Sequence, residues 1–358
     1  MPVFPARDID SVSWVAGAVV THLDDTSRTV SATCWSSSRQ LNEIAFAFFA
    51  SVVGGRLEDV DHLRERATSS PAHVFDYCRR LISPHMSPNL ERMASMIEAE
   101  TRLVFHRSPL PNDPKTDPTL LVDRPVEVVI PYRSTPDNPL RARNLGAVLS
   151  ALEHQTAERS SYQITVVEES DVPTVSTRPG TAVDNYIHVE YTGPFNRALA
   201  MNRGAEQAAD DSILCLLDGD ILPDRDFILR NAARVSQAPG RLHLPYSDMF
   251  CLLPGDAAAM ASNGYHPGRD YNGYLITHPV GGCVWITREA FKSAGGFDEN
   301  FKGWGGEDRD FADRADKVAP ILRHPELLTH LYHERPAMPS SRKEIMAAAG
   351  KTFEGEDQ

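Results

Sequence analysis

The sequence lacks a long apolar run. Nowhere do its 358 residues approach the ~18 consecutive apolar positions of a membrane-crossing helix, so no integral membrane segment is expected. Cysteine is sparse: Cys34, Cys78, Cys215, Cys251 and Cys283 are odd in number, far apart and without a CxxC. That excludes a disulfide framework and points to reduced, packed thiols. The opening residues MPVFPARDID show no basic stretch followed by an apolar core, so a cytoplasmic location is expected. Positive charge is also short, 36 Lys+Arg against 49 Asp+Glu for a net −13. A general nucleic-acid binder needs a clustered basic surface, so nucleic acid is not an expected partner. A phosphate-bearing ligand stays possible, because a divalent cation can screen the charge locally. What is present is an ordinary globular balance, 41% hydrophobic and 24% charged, with room for two domains.

The first 82 residues read as a small α+β domain. Trp14–Val20 and Thr29–Trp35 have the composition of short strands around the turn Asp24-Asp25-Thr26-Ser27, and Leu41–Val53, Leu57–Arg66 and His73–Leu81 have helical period. Residues 83–124 hold a helix, Asn89–Glu100, then the Pro- and Asp-rich linker Ser108–Pro118. From 125 to 340 the texture changes. The buried runs Val126–Ile130, Ile164–Val167 and Ile213–Leu217 alternate with the helical stretches Arg143–His154 and Phe195–Ala209. That order predicts an α/β fold with a Rossmann-like, mostly parallel sheet flanked by helices, whose ligand lies beyond the carboxyl ends of the strands. Residues 341–358 read as a polar tail.

Three constellations can carry chemistry. Asp218-Gly219-Asp220 follows the buried run Ile213–Leu217, so two carboxylates at i and i+2 can meet one hard cation, Mg²⁺ or Mn²⁺. The plain alternative is an acidic turn. Gly303-Trp304-Gly305-Gly306-Glu307-Asp308 allows a tight backbone approach to a ligand, a tryptophan face for a sugar ring, and two carboxylates that divide acid–base work. It reads equally as a helix N-terminus with dipole-favoured acids. His330 and His333, at i and i+3, can share a helical face as metal ligands. Pro131-Tyr132-Arg133, Glu168 and Arg197 are weaker: an arginine beside a phosphate, an acid meeting a ribose or base, and an arginine for phosphate or a surface ion pair. Asp256–Thr277, rich in Gly and Asn, reads as a long loop or lid.

In this order the pieces resemble the GT-A glycosyltransferases, above all the β-1,4-galactosyltransferase-like enzymes and glycosyltransferase family 2. The resemblance rests on VVIPYR, FNRALAMNRGAEQA, LLDGDILP and VGGCVWITREAFKSAGGFDENFKGWGGED, within residues 126–336. It implies a metal-dependent, inverting transfer of a hexose or N-acetylhexosamine from a nucleotide-diphosphate sugar, UDP favoured, with Mn²⁺ or Mg²⁺ as cofactor. The acceptor implied is a glycan, small molecule or peptide. By position, Asp220 and His333 are implied metal ligands, Asp218 a ribose or metal contact, and His330 a less certain ligand. Asp308 is the implied general base, Glu307 a sugar-binding acid and Trp304 the tryptophan near donor and acceptor. Pro131, Tyr132, Arg133, Glu168 and Arg197 match nucleotide contacts, and Gly281 and Gly282 a turn against the donor sugar. Arg309 departs from the family's third acid, and the first ~120 residues have no counterpart. Retaining GT-A transferases also carry a Trp-Gly-Gly-Glu segment, but with Asp-x-His at the metal turn. The first 82 residues weakly resemble winged-helix peptide-recognition domains, which would make them a docking module, and the whole chain an adaptor in the non-enzymatic reading.

Overall fold

The computed structural model describes residues 9–52, 60–109, 120, 122–136, 138–175, 182–266, 269–303, 305–334 and 350. Trp304, residues 110–118 of the expected linker and all of the expected tail except Gly350 lie outside them.

The N-terminal layer among the described residues is helical: α1 (Ser11–Leu23), α2 (Ser27–Val30), α3 (Ala32–Val52), α4 (Val60–Ser69), α5 (Pro71–Ile82) and α6 (Pro88–Glu100). The two strands expected at Trp14–Val20 and Thr29–Trp35 are therefore helix, and the winged-helix resemblance loses the strands that suggested it. The physical reason is burial. Almost every residue of α1, from Val12 to Leu23, is buried, and a helix enclosed on all sides is apolar all round, which a short window cannot tell from a buried strand. Capping decides locally. Asp10 accepts from the Ser13 amide at 2.8 Å to start α1, and Ser31 Oγ accepts from the Cys34 amide at 3.4 Å in the first turn of α3.

The helices rest on β1 (Leu103–Pro109), so the residues counted as the start of a linker are in fact a strand. Gly17 is needed there: a Cβ would stand 2.1 Å from the Phe105 carbonyl oxygen. Thr21 Oγ1 donates to the Gly17 carbonyl at 2.8 Å and accepts from the Phe105 amide at 2.7 Å. Ser38 Oγ accepts from the amides of Arg102 (2.8 Å) and Leu103 (2.9 Å).

Beyond them come β2 (Val126–Tyr132), α7 (Leu140–Glu153), β3 (Tyr162–Ser170), β4 (Asn185–Glu190), α8 (Arg197–Gln207), β5 (Ile213–Leu217) and β6 (Ile221–Leu222). The chain continues through α9 (Phe227–Gln237), β7 (His243–Leu244), β8 (Asp248–Leu252), α10 (Pro254–Asn263), β9 (Asp270–Thr277) and β10 (Cys283–Thr287). It ends with α11 (Arg288–Ser293), α12 (Glu307–Val318), β11 (Leu322–Arg323) and β12 (Leu327–His330). The larger sheet has the order β11-β7-β10-β5-β2-β3-β4. β4, β3, β2 and β5 run parallel, as the alternating apolar runs predict, and β10 inserts antiparallel beside β5. A second sheet, β1-β9-β8-β12-β6, joins the N-terminal layer to the strands around the site.

Two further expectations are corrected. Asp256–Thr277 is largely regular: most of it is the end of α10 and then β9, where a Cβ on Gly273 would stand 2.4 Å from the Cys251 carbonyl oxygen. Its glycine serves close strand approach, not a loop. His330 ends β12 rather than sharing a helical face with His333, because parallel pairing with β8 captures the segment.

Gly17→Val is expected to cost at least the ~1–3 kcal/mol of core overpacking. Gly146, exposed within α7 with nothing within 4 Å of its Cβ position, is expected to gain about 0.5–1 kcal/mol on Gly146→Ala. Urea denaturation of both variants checks the pair.

Candidate metal and carboxylate site

The site forms where β2 and β5 end and α12 begins, around a cavity of about 300 Å³. Asp218 leaves β5 directly, and its amide donates to the Gly282 carbonyl at 2.9 Å, so the turns before β10 and after β5 hold each other. Asp220 is buried, and the Leu331 amide donates to its carbonyl at 2.8 Å, which draws the chain after β12 over it.

Asp220, His330 and His333 offer ligand atoms within 4.8 Å of one another, all buried. His333 Nε2 stands 3.0 Å from Asp220 Oδ2, and His330 Nε2 3.6 Å from Oδ1. His333 Nδ1 lies 2.8 Å from the Glu334 carbonyl, an acceptor that assigns the proton to Nδ1 and turns the Nε2 lone pair toward the cluster. Burial pushes the Asp220 carboxyl up, but His330, His333 and Arg141 outweigh it and hold it well below the ordinary carboxylate range. One carboxylate and two imidazoles suit a divalent transition metal such as Mn²⁺, for which hard oxygen and imidazole donors are both apt.

Asp308 and Glu307 open α12. The turn before them needs glycine, since Gly303, Gly305 and Gly306 have φ of +86°, +92° and +99°. Both readings of this motif hold together: it is a helix N-terminus, and its acids line the cavity. A Cβ on Gly281 would stand 2.5 Å from Asp308 Oδ2, so that glycine gives the carboxylate its place.

Arg197, at the start of α8, ties the two acidic clusters together. Its Nε donates to Asp218 Oδ1 at 2.6 Å, its Nη1 to Asp308 Oδ1 at 2.6 Å, and Nη1 lies 3.5 Å from Glu307 Oε1. It is not a surface ion pair but a largely buried clamp, 5.6 Å from the Phe297 ring centroid, whose Nη2 makes no hydrogen bond among the described residues. Even so, charge is unbalanced. Burial raises Asp308 to about 8, with Arg197 opposing and Glu307 and Asp218 adding to the rise. Burial likewise raises Asp218 to about 6, opposed by Arg197 and reinforced by Asp220.

The remaining expected residues are placed differently. Pro131, Gly281 and Gly282 line the cavity. Tyr132 is buried at the end of β2, its hydroxyl pushed up by burial. Arg133 Nη1 donates to the Gly193 carbonyl at 2.6 Å and lies 4.0 Å from Glu169. Glu168 accepts from the Thr174 amide (2.9 and 3.0 Å) and hydroxyl (2.6 Å), the Val175 amide (3.0 Å), Tyr186 (2.7 Å) and Ser170 (3.0 Å). Its oxygens organise the segment after β3.

Arg141, Asn144 and the trio Ser31, Thr33 and Cys34 were not foreseen. Arg141 Nη1 lies 3.9 Å from Asp220. The buried Asn144 amide donates to the Tyr332 carbonyl at 3.1 Å, strapping the histidine segment to α7. Their signal was position, in the first helix after a parallel strand. The trio lines the cavity from the N-terminal layer and had no sequence signal. A larger cavity, about 1250 Å³, lies in that layer among residues such as Arg66, His73 and Arg80. It is remote from the buried ligand cluster, and chemistry rather than size selects the smaller one.

Residues 261–334 match the family model described as the N-terminal domain of galactosyltransferase. The chain is 30% identical over 148 residues to β-1,4-galactosyltransferase 5 of Sus scrofa, covering 40% of this chain and 32% of that protein. It is 32% identical over 144 residues to human β-1,4-galactosyltransferase 3, covering 39% and 30%. The chain thus spans about a third of the length of the curated relatives it matches. Among solved structures it is similar to GalNAc-T7 with UDP, GalNAc and Mn²⁺ (TM-score 0.43, 15% identity, 65% of this chain and 48% of that one). It is also similar to a Drosophila β-1,4-galactosyltransferase 7 mutant with manganese, UDP-Gal and xylobiose (TM-score 0.39, 17% identity, 65% and 82%).

Two outcomes are expected. Mn²⁺ at 100 times its Kd stabilises the chain by about 2.7 kcal/mol, and Asp220→Ala or His333→Ala abolishes this in thermal melts. A carboxyl raised by folding stabilises at low pH and loses that contribution as pH climbs toward its folded value of about 8. The urea midpoint of Asp308→Asn therefore gains on the wild type from about pH 4 to about pH 8. The segment 261–334, galactosyltransferase-like in sequence, brings Gly281, Gly282, Glu307, Asp308 and His330 to the cavity and His333 to the cluster with Asp220.

Proposed function

We propose that this chain is a metal-dependent, inverting glycosyltransferase that moves a hexose or N-acetylhexosamine from a UDP-sugar to a hydroxyl-bearing acceptor. The observation that carries the reading is that Asp308 and the Asp218/Asp220 turn face one cavity, coupled through Arg197. Asp220, His333 and His330 would hold the cation, which when bound supplies charge neutralisation to the leaving diphosphate. Asp308 Oδ2, the oxygen on the Gly281 side, takes the acceptor proton as the acceptor oxygen attacks C1. The C1–O bond to the diphosphate breaks, and UDP leaves with the bonding pair. Arg197 orients Asp308 through Oδ1, and a carboxyl raised toward operating pH is a suitable base. Glu307, adjacent and buried, is placed to hold a sugar hydroxyl. A cytoplasmic setting belongs to the same proposal and is supported by five cysteines without a disulfide.

The test is release of UDP from a panel of UDP-sugars with Mn²⁺ and sugar acceptors, with the product anomer read by NMR. Inversion at C1 is expected, and retention would remove Asp308 from its role. Asp308→Asn is expected to lower acceptor-dependent turnover by about 10²–10⁴-fold while UDP affinity stays nearly constant.

A further inference from the structure

The N-terminal helices have no counterpart in the transferase resemblance, yet they reach the candidate site. Ser31, Thr33 and Cys34, at the junction of α2 and α3, line the same cavity as Asp220, Arg197 and Asp308. The same cavity is lined by Met249 and Ile276, from β8 and β9 of the second sheet. Pro131, Arg141 and Asp218 belong instead to the strand exits and first helix of the larger sheet. The second sheet, which also carries His330 at the end of β12, and the N-terminal layer thus meet the strand exits of the larger sheet around this cavity.

The N-terminal side of the cavity is held in register. Tyr274 of β9 donates to Asp24 Oδ2, between α1 and α2. Asp24 Oδ1 also accepts from the Thr26 amide at 2.9 Å and hydroxyl at 2.7 Å, which sets the turn leading to Ser31. Ser38 Oγ donates to the Cys34 carbonyl at 2.7 Å while holding the amides that open β1. The side chains that Ser31, Thr33 and Cys34 bring are uncharged: two hydroxyls, with Ser31 Oγ and Thr33 Oγ1 3.5 Å apart, and a thiol. The rest of the cavity carries Asp218, Asp220, Glu307 and Asp308 together with Arg141, Arg197, Arg309 and His330, so Ser31, Thr33 and Cys34 supply its uncharged polar face.

We infer that Ser31, Thr33 and Cys34 form a wall of the substrate cavity, so that the N-terminal helical layer meets bound substrate with uncharged hydroxyl and thiol groups. The inference rests on the transferase reading above. It is tested on the full chain by the rate of Cys34 alkylation with iodoacetamide, followed by intact mass, since the other four cysteines are buried. Filling the cavity with UDP-galactose and Mn²⁺ is expected to slow labelling at least fivefold. Thr33→Cys in a Cys34→Ser background is expected to show the same protection, which separates a wall from a single reactive thiol. UDP binding is measured in parallel by calorimetry. If UDP with Mn²⁺ does not bind, the transferase reading fails. If it binds and both cysteines label at an unchanged rate, the wall alone is overturned.

Discussion

The site depends on the buried guanidinium of Arg197. Asp218 and Asp308 come from elements far apart in sequence, and each loses solvation where it stands. Without a cation between them, two ionised carboxylates at one cavity would repel at low dielectric. Arg197 meets both with charge-assisted hydrogen bonds of 2.6 Å and reaches Glu307 as well. One positive charge is still too few for three acids. Burial first, and the neighbouring acids second, raise Asp308 to about 8 and Asp218 to about 6 against the pull of Arg197.

That deficit explains why the histidine segment is tied down so firmly. His330 and His333 must approach Asp220 closely enough to share a cation, and neither lies in a helix that would fix the spacing. The work is done by pairing β12 to β8, by the Leu331 amide on the Asp220 carbonyl, and by Asn144 and Arg143 on the Tyr332 carbonyl. These are backbone anchors, so the imidazoles remain available to their own partners. The candidate metal ligands are thus positioned by groups outside the cluster.

Legibility in the sequence followed the range of the interactions. The buried parallel runs of β2, β3 and β5 were readable because each is locally apolar and bounded by turns. Asp218, Asp220, Glu307 and Asp308 were readable because they sit where strands exit and glycines turn. α1 was not, because a fully buried helix and a buried strand share a composition, and only packing on β1 through Gly17 and Thr21 distinguishes them. β9 was masked by glycine and asparagine that serve cross-strand approach. Arg197 was visible as a residue, but its role as a clamp depends on three acids that sequence separation hides.

The clamp also sets a conflict between stability and chemistry. Arg197 holds Asp308 through Oδ1 and so orients it, yet the same bond draws down the basicity that proton transfer needs. Burial works the other way, and the carboxyl ends near neutral range rather than at either extreme. Gly281 resolves the geometry. Lacking a Cβ, it leaves Oδ2 the room that any other residue would take, so one oxygen is fixed while the other stays usable. In the proposed transfer, a carboxylate held by only one of its oxygens is oriented with the other left for the acceptor proton, and that arrangement needs the arginine, the burial and the glycine together.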